Sequence, residues 1–386
     1  MHYFDWTATT PPTERVIEKV NKTLTEEWGN PSSVHRFGGS AAKLLEEARR
    51  DVLRGIGFGR EAAGRLIFTS GGTEANNLAI LGSAYAKARR GAILITEGEH
   101  ASVEMCARAL EADGFQVIRI PTAGGQINID AIRSAEGEIL AASFMLVNNE
   151  TGAVYDVYSA ARAVREKSPA AFIHADAVQG FMKLRFTPEK LGVNAISVSA
   201  HKIGGLKGAG ALYIDNASVS AKRISPRMLG GGQEGALRSG TENMPGICAF
   251  GEAVREALET FDLRKKRVEK LRTLLEEKLE GSGLIINQPP QGSSLPEILS
   301  VTVPGVKSET VLNFLSQNDF CISAGSACSS HGHGTSSALR GFGLSDKDAD
   351  STVRISLSHL NTPEETEKLA DLLASSAKLR GLKNYR

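Results

Sequence analysis

Residues 172–205 read FIHADAVQGFMKLRFTPEKLGVNAISVSAHKIGG. They hold two short apolar runs, at 172–174 and 195–198, and each leads into polar residues. The first passes from His174 to Asp176 and Gln179, the second to Ser199, His201 and Lys202 before the turn Gly204-Gly205. Further runs of this kind occupy 66–69, 92–95, 116–120 and 139–147, with helical patterns between them such as the one from Glu74 to about Arg90. Short apolar strands spaced by helices predict an α/β domain around a mostly parallel sheet. Ligands of such sheets gather at the carboxyl ends of the strands, which is where these polar residues fall.

A second unit follows. A helical stretch runs from near Gly246 towards Gly281, and Val268, Leu271, Leu274, Leu275 and Leu279 give its second half an apolar stripe. Beyond Pro289-Pro290, apolar runs at 298–303 and 353–357 and a helix after Ser308 predict a smaller α+β domain. Thr362-Pro363-Glu364-Glu365 combines a capping box with proline at the first helical position, so a last helix runs to about Leu379. The length of 386 residues suits two domains. Lys and Arg number 45 against 44 Asp and Glu, a net charge of +1, which gives no basic excess for binding nucleic acid. The start at Met1 carries no signal-peptide pattern and the longest apolar run, 139–147, is too short to span a bilayer. The four cysteines show no CxxC spacing and form no disulfide framework. A soluble protein of a reducing, cytoplasmic compartment is expected, with no membrane partner.

Several segments carry chemistry. Lys202 ends a strand and is followed by glycines, so it can be held against a cofactor; taken alone, a lysine in a loop is usually a surface residue. Asp176 is placed to keep a pyridine nitrogen protonated, as recurs in pyridoxal-phosphate proteins, or else to cap the next helix. Ser70-Gly71-Gly72-Thr73-Glu74 joins a strand to a helix and suits a phosphate at the helix N-terminus. It is not a Walker A loop, and no GxGxxG follows a strand, so nucleotide binding drops out. His100, after the 92–95 strand, is suited to lie on a planar cofactor, and Asn149, after 139–147, to hold a substrate carboxylate; taken alone, each type is more often a loop or capping residue.

Cys328 lies in SAGSACSSHGHG, residues 323–334, among Gly, Ser, Ala and His, the surroundings of an accessible and reactive thiol. Cys106, Cys248 and Cys321 sit in apolar stretches and read as structural. Cys328, His331 and His333 lack an obvious fourth ligand, and no metal is expected.

Taken together, these segments resemble the cysteine desulfurases, pyridoxal-phosphate enzymes of the class V aminotransferase superfamily, over nearly the whole chain and in order. The resemblance runs through Tyr3-Phe4-Asp5 with Ala8-Thr9-Thr10-Pro11, Gly29-Asn30-Pro31-Ser32-Ser33 with His35, and the turn at 70–77. It continues through residues 148–152, 176–179 and 199–202, Arg238-Ser239-Gly240-Thr241-Glu242-Asn243, the Cys328 loop and Val353-Arg354-Ile355-Ser356. It implies the fold-type I architecture: a large domain over 14–255 with a mostly parallel seven-stranded sheet, and a small α+β domain formed by 1–13 and 256–386 that carries the cysteine loop.

By the same resemblance Lys202 would hold pyridoxal 5′-phosphate as a Schiff base and move the substrate proton. Asp176 would pair with the pyridine nitrogen, Gln179 with the ring hydroxyl, and His100 would stack on the ring. Gly72, Thr73, Ser199 and His201 would take the phosphate, with Thr241 reaching it from the partner of a homodimer whose active sites are shared. Arg354 and Asn149 would grip the carboxylate of L-cysteine, Arg354 through its two-pronged guanidinium. Cys328 would attack the substrate sulfur and pass a persulfide to an acceptor protein for iron–sulfur cluster assembly or thiolation. The loop resembles the Gly-Ser-Ala-Cys subgroup, but has Gly334-Thr335 where many relatives carry Glu-Pro. A same-fold aminotransferase, which has no need of Cys328, a selenocysteine lyase and a non-catalytic sulfur-carrier or scaffold protein are the competing readings.

Overall fold

The computed structural model describes residues 1–59, 64–86, 91–325 and 336–380. Cys328, His331 and His333, and the expected helix end at Arg90, lie outside the described residues. Twelve strands are named here in chain order. The large sheet contains β2 (Gly64–Thr69), β3 (Ala92–Thr96), β4 (Gln116–Ile120), β5 (Ile139–Met145), β6 (Phe172–Asp176), β7 (Ala195–Ser199) and β8 (Gly210–Asp215). The small sheet is made by β9 (Ile285–Ile286), β10 (Ile298–Thr302) and β12 (Thr352–Ser356), while β1 (His2–Tyr3) pairs in parallel with β11 (Phe320–Cys321).

The seven strands run in the order β2-β8-β7-β6-β5-β3-β4. Neighbours are parallel from β7 to β4, and β8 is antiparallel to both β7 and β2. Side chains alternate across each strand. Leu66, Phe68, Leu94, Phe144, Ile173 and Val198 face one core, together with the helices Arg36–Gly55 and Val157–Lys167. Ile67, Ile93, Ile95 and Leu212 face the other, against Gly72–Tyr85 and Ala101–Ala112. Both faces are covered, which is why these strands read as near-continuous apolar runs. Chain order reverses between β3 and β5, and the crevice at such a switch point is the usual ligand site of an open α/β sheet.

The 36-residue helix Met244–Leu279 joins the two units. Asn243 caps it through Gly246 N, and a proline follows in the first turn. Its first half packs Met244, Ile247, Phe250 and Val254 into the large core; its second half packs Val268, Leu271, Leu275 and Leu279 against β10 and β12. The last helix, Pro363–Ser376, has the expected capping box between Thr362 and Glu365 and continues as a tighter turn to Leu379.

The N-terminal segment stitches these parts together. Asp5 bridges to Ser356 beside β12, and Thr10 N donates to the carbonyl of His201 beyond β7. No helix among the described residues is long and apolar enough to cross a membrane.

Candidate active site

The strand ends and the N-terminal segment enclose a cavity of about 290 Å³. Its lining brings together Gly72, Thr73, His100, Asn149, Asp176, Gln179, Ser199, His201, Lys202 and Arg354, all singled out in the sequence. Thr241 is exposed and does not line the cavity of its own chain.

One end of the cavity is built on the helix Gly72–Tyr85, which starts at Gly71 without a side-chain cap. Its first amide N–H groups and positive dipole end are therefore available to an anion. Gly72 must be glycine for packing: a Cβ there would stand 2.7 Å from Val178 Cγ2. Glu74 turns away, accepting from Ser70 N at 2.7 Å and from Arg238 Nε at 2.9 Å, which ties this turn to the segment 238–243. Although burial works to raise the pKa of Glu74, these donors hold it below the usual range.

A chain of polar contacts runs along the cavity from Asp176 to His100. Asp176, the last residue of β6, accepts from Val178 N at 3.0 Å and from Asn76 Nδ2 at 2.7 Å. The chain turns over 178–183 directly after Asp176, and the next α-helix, Pro188–Leu191, is capped by Thr187, so Asp176 holds a turn and does not cap a helix. Asn76 Nδ2 also donates to Ser102 Oγ at 2.9 Å, and Ser102 Oγ lies 2.8 Å from His100 Nδ1. His100 both caps the helix Ala101–Ala112 and lines the cavity, so its capping role does not remove it from the site. Its Nδ1 receives the Ser102 backbone N–H at 3.1 Å, and an amide can only donate. Nδ1 is therefore the acceptor and Nε2 carries the proton of the neutral ring. Burial, aided by the charge of Lys202 and opposed by Asp176, lowers the His100 pKa and keeps that ring neutral. Burial with Lys202 and Lys207 holds His201 down at about 4.

Lys202 Nζ donates to the carbonyls of Thr7 and Ala8, each at 2.9 Å. From the small sheet, Arg354 projects out of β12 and is almost fully buried. Its Nη2 meets Asp5 Oδ1 at 2.7 Å and its Nη1 donates to the carbonyl of Asn149 at 3.0 Å. Asp5 and Asn149 thus already engage the two prongs, and Nε is left buried without a partner. Three cavity-lining atoms share that condition: Thr7 Oγ1, Asn76 Oδ1 and Arg354 Nε. Unpaired buried polar atoms are costly and concentrate where a ligand completes them.

The class V aminotransferase family matches residues 2–369 of the chain. Cysteine desulfurase IscS 1 of Archaeoglobus fulgidus is 34% identical over 97% of this chain and 96% of its own. The chain belongs to the cysteine desulfurases, within the class V aminotransferases. Among solved structures, a NifS-like protein superposes with a TM-score of 0.88 at 33% identity, covering 98% of this chain and 99% of its own. SspA in complex with cysteine superposes at 0.79 with 29% identity, covering 94% and 100%. The family is pyridoxal-phosphate dependent, and the cysteine desulfurase cavity found here fits that group. An uncapped helix start suits its phosphate, a buried carboxylate at a strand end its pyridine nitrogen, and a lysine amine its aldehyde.

Asn76, Ser102 and Thr7 belong to the site but were not singled out in the sequence. Asn76 had one signal: it is a polar residue on the buried side of a helix otherwise packed through Ala75, Leu78 and Ala79. Cys106 and Cys248 are buried, and burial pushes the Cys106 thiol up to about 12, consistent with structural roles. Among the described residues no group of His, Cys, Asp and Glu is arranged to hold a metal ion.

Proposed function

We propose that this chain takes sulfur from L-cysteine onto Cys328, releases L-alanine, and delivers the sulfur to an acceptor protein for iron–sulfur cluster assembly or thiolation. The observation that carries this reading is the meeting of Lys202, from the end of β7, and Arg354, from β12, in one cavity over Asp176. Bound pyridoxal phosphate supplies an electron sink for the pair left when the substrate α-proton is removed.

The chain's own residues divide the remaining work. Arg354 and Asn149 take the substrate carboxylate, with Asp5 fixing the guanidinium plane. Lys202 Nζ leaves the Thr7 and Ala8 carbonyls to hold the cofactor and then carries the α-proton. Asp176, steadied by Asn76 and Val178 N, keeps the pyridine nitrogen protonated, and neutral His100 covers the ring. Gly72, Thr73, Ser199 and His201 hold the phosphate, and Gln179 takes the ring oxygen. The thiolate of Cys328 attacks the substrate sulfur; an S–S bond forms as the substrate C–S bond breaks. The exchange balances without a further oxidant, since L-cysteine and a thiol become L-alanine and a persulfide.

The reading includes a homodimer in which Thr241 serves the partner's phosphate site, supported by its exposure outside its own cavity. It also divides the chain into 14–255 and a second unit of 1–13 with 256–386, so that the helix Met244–Leu279 crosses the boundary. The test compares L-alanine and sulfide released from L-cysteine, with a reductant, by the wild type and by Cys328→Ser. Equimolar products from the wild type and almost none from the variant are expected. Full activity in the variant would remove Cys328 from the reaction, and no turnover by either protein would return the chain to the aminotransferases.

A further inference from the structure

Behind the cofactor cavity lies a second, smaller one, and Thr7 and Lys202 line both. The inner cavity is also lined by Met182, Lys183, Arg264, Glu297 and His359. Arg264 Nε, Glu297 Oε2 and Thr7 Oγ1 are buried there without a hydrogen-bond partner, the setting in which ordered water completes polar groups. Lys183, one of several basic residues of this chamber, is tied to the outer cavity through Gln179. Its Nζ donates to Gln179 Oε1 at 3.1 Å, and Gln179 Nε2 donates to the carbonyl of Thr7 at 3.2 Å.

These two contacts settle the orientation of the Gln179 amide. The two ends of a glutamine amide have nearly the same shape and differ only in hydrogen bonding. An ammonium can only donate, so it selects the oxygen; a carbonyl can only accept, so it selects the nitrogen. Both partners therefore demand the same orientation, which leaves the second N–H of Nε2 for the cavity that Gln179 lines. The local backbone is bent to achieve this. Met182 adopts the left-handed conformation at φ 58°, unfavourable for a long side chain, in the turn between Gln179 and Lys183.

Electrostatics do not explain a lysine here on grounds of stability. Burial lowers the Lys183 pKa and Arg354 acts in the same direction, while Glu297 alone opposes them. Glu297 is itself raised by burial, and the chamber holds the further cations Arg264 and Lys202 beside neutral His359. An apolar side chain would fill this position at lower electrostatic cost.

We propose that Lys183 is a positioning residue, holding the Gln179 amide so that it presents only a donor to the cofactor's ring oxygen. This rests on the cofactor placement given under Proposed function. A donor at that oxygen stabilises its anionic form and weakens its hold on the proton of the neighbouring lysine–cofactor nitrogen. Without Lys183 the 3.2 Å bond to the Thr7 carbonyl is left as the single contact of these two on the amide, which can then turn or withdraw; losing the donor at the ring oxygen raises the pH at which that proton leaves, a transition visible in the absorbance of the holoenzyme.

The test is a spectrophotometric pH titration of five holoenzymes: wild type, Lys183→Met, Lys183→Arg, Gln179→Ala and the double variant Lys183→Met/Gln179→Ala. We expect Lys183→Met to raise the midpoint by about one pH unit, the scale of one charge-assisted hydrogen bond. Lys183→Arg, also a pure donor, returns it towards the wild type. In the Gln179→Ala background Lys183→Met loses most of its effect, which separates positioning from a long-range charge effect. An unchanged midpoint in Lys183→Met, or an equal shift in both backgrounds, would overturn the proposal. If Lys183→Met does not fold, Lys183→Gln, able to offer the amide a donor or an acceptor, is read in the same way. A wild type that forms no coloured covalent adduct would instead overturn the cofactor placement itself.

Discussion

His174 lies on β6 two residues before Asp176, with no exposure to solvent of any consequence. Ser143 Oγ on β5 is 2.9 Å from its Nδ1, and Ser197 Oγ on β7 is 2.8 Å from its Nε2. Burial alone holds its pKa down at about 3. The unfolded chain, with histidine near 6.5, binds this proton more readily than the folded chain does. Stability from this group is thus complete above about pH 6.5 and is lost as pH falls towards 3. Each unit is worth about 1.4 kcal/mol, so the step from pH 7 to pH 5 removes about 2 kcal/mol. The perturbation is His174→Gln, which keeps a donor and an acceptor but does not titrate. Urea unfolding of both apo-proteins at pH 7 and pH 5 gives two losses of stability. The wild-type loss is expected to exceed the variant's by about 2 kcal/mol. Other titrating groups, such as His201, His359 and Glu99, are common to both proteins and cancel in the difference. Equal losses in the two proteins would refute the reasoning, because they would mean that His174 keeps its proton affinity inside the sheet.

Three further outcomes are expected. Lys202→Ala abolishes the covalent visible chromophore formed with pyridoxal phosphate, and a retained covalent band would sink its assignment. Arg354→Lys raises KM for L-cysteine by about tenfold or more while the cofactor spectrum stays in place, since an ammonium cannot serve Asp5, the Asn149 carbonyl and a carboxylate in one plane. An unchanged KM would place the carboxylate elsewhere. Asn76→Ala strips Asp176 Oδ2 of its donor, and a bond to a charged group is worth about 1.5–3 kcal/mol. Equilibrium dialysis should show cofactor affinity falling by about tenfold or more, and unaltered affinity would mean that Asp176 needs no such support.

What the sequence displays is whatever repeats or clusters along it. The buried strands β3 and β5 to β7 are largely apolar runs, the half-exposed edge strand β4 keeps an apolar majority, and the boundaries of all five are legible to within two residues. The residues at their ends stand out because polar groups directly after such runs have few structural reasons to be there. β8 escaped, although it is as buried as its neighbours, because it opens with Gly210 close behind Gly208 and the turn Gly204-Gly205, in a glycine-rich stretch that hides its start. Strands β1 and β11 are two residues each and pair across the length of the chain, so no local pattern marks them. The same holds for Thr7, whose contribution to the site is a backbone carbonyl shared by Lys202 and Gln179. Asp5 was noted only as part of a motif; its role emerges once Arg354 is placed beside it. Lys183 is invisible to pattern reasoning, since a single lysine after a turn is an ordinary surface residue until its partner is known.

The first ten residues bear on when the site comes into being. His2 pairs with Phe320, Asp5 meets Arg354 and Ser356, and Thr7 and Ala8 receive Lys202. During synthesis these residues emerge before the large sheet, yet Phe320, Arg354 and Ser356 appear only after it. Strands β3 to β8 can add to the large sheet as they emerge, with β2 waiting for β8, but the N-terminal seam must wait for β12. Its closure is a contact of very high sequence separation, the kind formed late in folding. Catalytic competence is therefore acquired after the bulk of the protein is already structured. A chain arrested shortly before residue 352 would hold a nearly complete scaffold that still lacks Arg354, the guanidinium proposed to take the substrate carboxylate.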